Sequence, residues 1–295
     1  MKQSIKKAHL ALIKNTVLVS SLVGLLFTQS INAHERFMVP SHTVLSGDKT
    51  QYATIISSIS NDIFHPDRPL GDNGKGVDAG DLKPLFAMLQ SRVILPDGKI
   101  DNSVEWQAYQ RMSIADVPLQ QSGTYRVSLI QQDVAMTTFK KADGAPWRLF
   151  GKDITLPEGA TDVVRRTTAS SVETFISVNK PTLTAVNPTG KGLELVGQTH
   201  PNDLFAGETA RFQLLFNGKP VSKGTHVKAI KAGTRHRNNR NEQVLTLNDK
   251  GEFTFTPQSS GFYFLAAESA VEVEQPADVD VKHFSLYLTL EVFPE

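Results

Sequence analysis

Cysteine is absent from this chain of 295 residues. Its absence excludes disulfides, thiolate metal sites, a cysteine nucleophile and a lipid-modified N-terminal cysteine. The stability of the folded protein must therefore come from an apolar core, which a hydrophobic content of 40% makes feasible. Methionine is also scarce, with five residues in all, and this disfavours a methionine-rich site for soft copper(I).

An excess of charge of either sign is lacking as well. The 31 basic and 30 acidic residues give a formal net charge of +1, and the two signs are interspersed. Nucleic-acid-binding proteins usually concentrate basic residues in one patch, so this composition argues against nucleic acid as a partner. The chain also has no Gly-x-Ser-x-Gly elbow, His-Glu-x-x-His motif, phosphate-binding loop or dinucleotide fingerprint. These absences predict a binding protein and not an ordinary enzyme.

Long apolar runs are limited to one, at residues 16–27. Four lysines precede this run, and the polar stretch that follows it ends at Ala33. Its length of about 12 residues is too short to span a bilayer, which takes about 20. A charged start, a short apolar segment and a small final residue predict a signal peptide at residues 1–33. We therefore expect export to the periplasm, and no membrane insertion after the signal peptide is cleaved.

Strand-like patterns dominate the rest of the chain. They alternate apolar and polar residues and are bounded by Gly, Pro, Asn and Asp. Only two helical candidates occur, at 81–90 and 161–171; the first contains a proline, and the second is short and rich in Thr and Ser. The pattern predicts an all-β fold. The clearest strand patterns cover residues 50–59, 91–96, 123–130, 173–179, 210–221, 251–257, 261–268 and 284–293.

An internal similarity divides the chain into two halves. VLSGDKTQYATI in the first half resembles LFAGETARFQLL in the second, and QQSGTYRVSL resembles PQSSGFYFLA. We predict two tandem immunoglobulin-like β-sandwich domains, at residues 34–185 and 186–295. Such turn sequences also recur in unrelated β proteins, which leaves a chance similarity open. Two polar stretches, 60–84 and 231–243, are predicted to be surface loops, where function often resides.

Histidines are the remaining candidates for chemistry. Cleavage of the signal peptide would make His34 the N-terminal residue, whose free amine and ring nitrogen can together chelate one metal ion. His65 lies in the first polar loop between Asp62 and Asp67, which could act as ligands or orient the ring. His200 precedes a proline early in the second predicted domain. We predict a metal site formed by His34 with His65 or His200.

Each of these three histidines also has a structural explanation. His34 could simply be the residue that follows the cleavage site, His65 a hydrogen-bonded loop residue and His200 the cap of a turn. Imidazole and amine ligands suit nickel, cobalt, copper or zinc better than calcium or magnesium. The other histidines are weaker candidates, because they lie in strand patterns, beside arginines or in less suggestive surroundings: His42, His226, His236 and His283.

The chain contains an ordered set of segments: AHERFMVPSHTVLSG, SNDIFHPDRPL and ETFISVNKPT, followed by GLELVGQTHPNDLFAGETARFQLL, NDKGEFTFTPQSSGFYFLAAE and LYLTLEVFPE. This ordered set resembles the domain-of-unknown-function family 4198. Members of this family are exported bacterial proteins that are commonly labelled as periplasmic components of cobalt or nickel uptake. The resemblance implies capture or presentation of nickel, cobalt or copper, with a membrane transporter or outer-membrane receptor as partner. It supports His34 and leaves His65 and His200 inside family-like motifs.

Two other functions remain open at this point. Tandem sandwiches often serve as interaction modules, so the two polar loops could contact an outer-membrane receptor or a glycan. Arg235, Arg237 and Arg240 in the second loop would suit an acidic partner. A terminal histidine can also hold copper in an oxidative enzyme, which copper-dependent activity with oxygen or peroxide would reveal.

Overall fold

Hydrogen bonds between extended strands organise most of the chain that the structure describes. The computed structural model describes residues 35–78, 80–221, 224–273 and 278–295. The predicted signal peptide and His34 therefore lie outside the described residues. Within the described ranges, no helix is long and apolar enough to cross a membrane. The prediction of an all-β sandwich is confirmed.

The regular structure of the described residues consists of nineteen strands, one turn of α-helix and two short 3-10 helices. The helix α1 is Lys83–Phe86, and the 3-10 helices are Gly80–Leu82 and Thr234–His236. In chain order the strands are β1 (Glu35–Pro40), β2 (Val44–Leu45), β3 (Gln51–Ser60), β4 (Arg68–Pro69), β5 (Leu89–Ile94), β6 (Ile100–Asp101), β7 (Gln107–Ala108), β8 (Ser113–Leu119), β9 (Gly123–Lys140), β10 (Pro146–Phe150), β11 (Thr161–Val178), β12 (Leu193–Gly197), β13 (Ala210–Phe216), β14 (Lys219–Pro220), β15 (His226–Lys231), β16 (Gln243–Leu245), β17 (Glu252–Phe255), β18 (Gly261–Glu272) and β19 (Val281–Val292).

The strands form three sheets, which we name the front, central and back sheets. The front sheet contains β1, β3, β4, β7 and β8, and the back sheet contains β12, β13, β14 and β17. The central sheet has the strand order β16-β15-β18-β19-β11-β9-β5-β6, with β2 paired to β11 and β10 paired to β9. All the neighbours in the central sheet are antiparallel except β19 and β2, which both run parallel to β11.

The central sheet contributes to two cores, because successive residues of a strand point to opposite faces. On β18, Phe264 packs in a core with Phe37 of the front sheet, whereas Leu265 packs in a core with Phe212 of the back sheet. We call these the front core and the back core. The described chain is thus a three-layered β-sandwich whose middle layer is shared.

The shared sheet crosses the predicted domain boundary. β11, from the first predicted domain, pairs in parallel with β19, from the second, and Thr174 lies opposite Thr289. The division into domains at 34–185 and 186–295 stays a prediction. In the structure, strands from both sides of that boundary complete one hydrogen-bonded sheet.

The two Ser-Gly segments noted in the sequence, within QQSGTYRVSL and PQSSGFYFLA, begin equivalent strands. Gly123 opens β9 and Gly261 opens β18, with φ angles of 124° and 120°. Two residues later a tyrosine hydroxyl donates to the backbone carbonyl four residues upstream, at 3.0 Å for Tyr125 and 2.9 Å for Tyr263. Immunoglobulin-like domains contain a similar tyrosine corner. The internal similarity of the sequence therefore has a local structural counterpart.

Candidate functional site

A buried carboxylate, Glu35, lies at the start of β1. Glu35 is opposite Ser60, the last residue of β3, and is 5% exposed. The Lys228 ammonium lies 2.7 Å from Oε1, and Arg240 pairs with Oε2. Burial of an uncompensated charge would be costly, so these two cations stabilise the carboxylate. They also tie the start of β1 to β15 and to the loop that follows β15.

The turn after β3 carries His65. The backbone N–H of His65 donates to the Asp62 carbonyl at 3.2 Å and closes the turn. Phe64 has a φ of 61°, which is unfavourable for a bulky residue and requires support from its surroundings. That support comes from edge contacts with Phe37 and Phe264, at centroid separations of 5.5 and 6.3 Å. The anchored phenyl ring thereby positions the neighbouring imidazole.

The His65 imidazole has an unsatisfied nitrogen. The side chain is half-buried, and its Nε2 is buried without a hydrogen-bond partner among the residues that the structure describes. Buried polar atoms are nearly always hydrogen-bonded, so such an atom marks a place for a bound water, ion or ligand. A neutral imidazole nitrogen is also a good ligand for nickel, cobalt, copper and zinc.

The aspartates on either side of His65 are engaged by other residues. Asp62 accepts a hydrogen bond from the Thr234 hydroxyl, and its Oδ2 lies 3.4 Å from Arg235 Nε. Asp67 pairs with Arg111. These contacts show that the loop after β15 folds against the turn after β3. The two polar stretches predicted as loops therefore meet beside the start of β1.

Arginines of the second loop have partners within the protein. Arg237 donates to backbone carbonyls of its own loop, including Ala232 at 2.8 Å. Arg240 pairs with Glu35, and Arg235 lies beside Asp62. The use of these arginines by an acidic partner stays a prediction. Such a partner would compete with the contacts that the arginines already make within the protein.

His200 lies in a different environment, in the turn between β12 and β13. Its Nδ1 accepts a hydrogen bond from the Asn202 backbone N–H at 3.0 Å, and its Nε2 lies 3.1 Å from both the Thr182 carbonyl and the Thr124 hydroxyl. A carbonyl only accepts, so we assign the ring hydrogen to Nε2. Burial lowers the pKa of His200, which favours this neutral form. Both ring nitrogens are thus engaged, and a ligand role for His200 is disfavoured.

His65 and His200 lie on opposite faces of the central sheet. Phe64, the neighbour of His65, packs against the front core. Thr124, which contacts His200, precedes a residue of the front core in β9 and so points to the back face. Metal–nitrogen bonds are about 2 Å long, so one ion cannot bind both imidazoles across a sheet. Of the two, only His65 lies on the face where the turn after β3 meets the start of β1.

The other described histidines do not complete a metal site. His42 and His226 are exposed, and His283 Nε2 lies 3.0 Å from Arg166. Burial, and then the Arg166 charge, lower the pKa of His283. Among the described residues, no group of three or more His, Asp or Glu side chains is arranged to hold a metal ion.

A cavity on the back face of the central sheet was not foreseen from the sequence. It has a volume of about 620 Å³ and lies between β9 and β11 of the central sheet and the ends of β12 and β13. The only hint was a lone arginine within each of the patterns SRVILP and GTYRVSLI, where a charge on a sheet face requires a partner. We call it the cationic cavity, after the charged residues that line it: Arg92, Arg126, Asp133, Glu173, Lys191 and Lys282.

A buried ion-pair network adjoins this cavity. Arg126 is 2% exposed and donates to Glu173 from Nε at 2.8 Å and from Nη2 at 3.1 Å, while its Nη1 lies 3.3 Å from Glu194. Glu194 also accepts hydrogen bonds from the backbone N–H groups of Thr189 and Gly190, at 2.8 Å each. Burial acts to lower the pKa of Arg126, but the two carboxylates act in the opposite sense and the net shift is upward.

Comparison with solved structures finds distant likenesses. Salmonella alpha-2-macroglobulin reacted with methylamine shares 13% identity over 89% of this chain and 15% of that chain, with a TM-score of 0.23. The D0-D1 domain of intimin shares 10% identity over 87% and 97%, with a TM-score of 0.20, and the ectodomain of the teleost fish polymeric Ig receptor shares 11% over 88% and 99%, with a TM-score of 0.19. Scores this low carry no argument about function.

Comparison at the sequence level identifies a family. No protein of the curated set matches this chain. A family model described as "Domain of unknown function (DUF4198)" matches residues 31–271, which is most of the chain. On the strength of that match, this chain belongs to the DUF4198 family.

Proposed function

We propose that this protein is an exported binding protein of the periplasm that captures or presents a divalent transition metal for uptake. Nickel, cobalt and copper are the candidate ions, because the proposed ligands are nitrogens. The observation that carries the proposal is the buried Nε2 of His65, which has no hydrogen-bond partner among the described residues. The proposal involves binding and release, without chemical turnover.

The second ligand in this proposal is the chain end that signal-peptide cleavage would create. His34 precedes Glu35, and consecutive Cα atoms are about 3.8 Å apart. Glu35 lies opposite Ser60, and the turn that carries His65 follows directly. In this proposal, a chain cut after Ala33 supplies a free amine and a second imidazole at the residue that precedes Glu35.

The charges around this turn favour nitrogen ligands. Glu35 is paired with Lys228 and Arg240, and Asp62 contacts Arg235. These carboxylates are therefore not free to bind a cation without breaking an ion pair. A site for calcium or magnesium, which prefer oxygen ligands, is correspondingly disfavoured.

Titration calorimetry with nickel, cobalt and copper tests this proposal. We expect protein that begins at His34 to bind at least about tenfold more tightly than protein with one additional N-terminal residue, because the amine is displaced. His65→Ala should weaken binding by a similar factor, and His226→Ala, which removes an exposed histidine, should not. The proposal would be contradicted if three proteins bound the metal equally well: the protein that begins at His34, the protein with one additional N-terminal residue, and His65→Ala.

A second candidate function is an interaction module that contacts an outer-membrane receptor or a glycan. It is favoured by the contact of Asp62 with Thr234 and Arg235, which joins the two polar loops into one surface. In this case, capture of a purified receptor or glycan would persist in the presence of chelator and in His65→Ala.

A further inference from the structure

Arg92 of β5 is a cation whose hydrogen-bonding capacity is incompletely used. It is half-buried and lines the cationic cavity, and its Nε is buried with no hydrogen-bond partner within the part of the chain that the structure describes. Burial lowers the pKa of Arg92, yet a guanidinium stays protonated at physiological pH. Arg92 therefore contributes a permanent positive charge to the wall of the cavity.

Nearby carboxylates cannot satisfy Arg92 without giving up other bonds. Glu173 already accepts from Arg126 Nε and Nη2 and from the Ser171 hydroxyl at 2.5 Å. Glu194 accepts from backbone N–H groups and from Arg126. Both acidic groups of the network thus already accept other hydrogen bonds, and neither of them bonds to Arg92 Nε.

The charge balance of the cavity favours such an anion. Among the lining residues that the structure describes, four of the charged ones are cations and two are carboxylates, of which Glu173 belongs to the network. Lys191 and Lys282 are exposed, so they can attract a charged ligand from solution.

The remainder of the cavity wall is apolar. Leu193 and Phe216 come from the back sheet, and Phe284 comes from β19. The rings of Phe216 and Phe284 are in contact, with centroids 4.1 Å apart. A volume of about 620 Å³ falls in the range of about 300–1,000 Å³ that is typical of small-molecule sites.

We infer that the cationic cavity binds a small amphipathic organic carboxylate. Its carboxylate pairs with the Arg92 guanidinium, which matches the planar, two-oxygen geometry of that group. Its apolar part lies against Phe216 and Phe284. This site is on the back face of the central sheet and is independent of the metal proposal.

Calorimetric titration of the whole protein with decanoate, in the presence of chelator, tests the inference. The neutral analogue 1-decanol and inorganic phosphate serve as the two comparison ligands. We expect decanoate to bind at least about tenfold more tightly than either, because only decanoate satisfies both parts of the cavity. Phosphate binding as tightly as decanoate would overturn the amphipathic assignment, as would failure of decanoate to bind.

Variants test the assigned contact. Arg92→Met preserves length and removes the charge, and should weaken decanoate binding about tenfold or more. Arg211→Met, an exposed arginine on β13, is the matched control and should bind like the parent protein. Lys282→Gln alters only an exposed side chain, so this variant should fold even if Arg92→Met does not. It removes a positive charge from the cavity and should also weaken decanoate binding. Decanoate affinity is measured at low salt, where exposed charges are least screened. If either Lys282→Gln or folded Arg92→Met bound decanoate as tightly as the parent protein, the inference would be overturned.

Discussion

His200 and His65 differ in what their ring nitrogens contact. In His200, the Asn202 N–H and the Thr182 carbonyl engage both nitrogens, so the ring serves the fold. In His65, one nitrogen is buried and has no hydrogen-bond partner among the described residues. Arg126 and Arg92 differ in the same way. The Arg126 guanidinium donates to the carboxylates of Glu173 and Glu194, whereas Arg92 Nε has no hydrogen-bond partner among the described residues. At this scale, residue type matters less than the number of hydrogen bonds already made.

The neutral state of His200 has a consequence for pH dependence. Its pKa is lowered in the folded protein, chiefly by burial, whereas the pKa of a histidine in an unfolded chain is about 6.5. Above that pH both states are neutral. As the pH falls below it, the unfolded chain takes up a proton first, so the free energy of unfolding decreases, by at most about 1.4 kcal/mol per pH unit for one group.

Urea unfolding at about pH 7.5 and about pH 5.5 measures this loss. His200→Gln should show a smaller difference between the two conditions than the parent protein. His226→Gln, which replaces an exposed histidine, should retain the parent difference. An unchanged difference in His200→Gln would show that the ring is not held neutral, and the remaining slope is expected to include His283.

Among the elements, β9 and β18 begin in the same way. Each starts with a glycine at a φ that other residues rarely adopt, and each follows it with a tyrosine bonded to the preceding loop. Their surroundings differ, however. A Cβ on Gly123 would lie 2.8 Å from both Pro96 Cβ and Thr182 Oγ1, whereas on Gly261 its nearest neighbour would be Lys231 Cε at 3.5 Å.

These two glycines provide a matched pair of substitutions. Gly261→Ala should lower the free energy of unfolding by about 1–3 kcal/mol through backbone strain alone. Gly123→Ala should cost more, because the same strain is joined by two close contacts. Denaturant titration of the two variants compares their losses in the free energy of unfolding. Equal losses would indicate that the loop containing Pro96 shifts to avoid the added Cβ at little energetic cost.

For the whole molecule, the shared central sheet predicts a single unfolding transition. Leu265 belongs to the back core and Trp106 to the front core, and the sheet connects them. Leu265→Ala should lower stability by about 2–5 kcal/mol and should shift the transition followed through Trp106 fluorescence. A Trp147→Phe background removes the second tryptophan of the chain. Two transitions, with Trp106 unaffected, would instead support independent domains divided at residue 185.

Local patterns predicted the strands better than their arrangement. Alternation identified β9, β18 and β19, because each buries one face or both. The Thr- and Ser-rich segment 161–171, weighed as a helix, forms the first part of β11, where β-branched residues suit a sheet. The parallel pairing of β11 with β19 was not predicted, since it joins segments that are remote in sequence. The same limit applies to the site: the loops were foreseen, but the contacts of His200 with Thr182 and with Thr124 of β9 join segments that are separated in sequence.

The position of β19 also bears on how the protein is made. This strand lies between β18 and β11, so the middle of the sheet is incomplete until the ribosome has released residues 281–292. Before then, the nascent chain exposes two strand edges that can aggregate or bind a chaperone. Completion of the central sheet is therefore expected to be a late step, which follows the synthesis of β19.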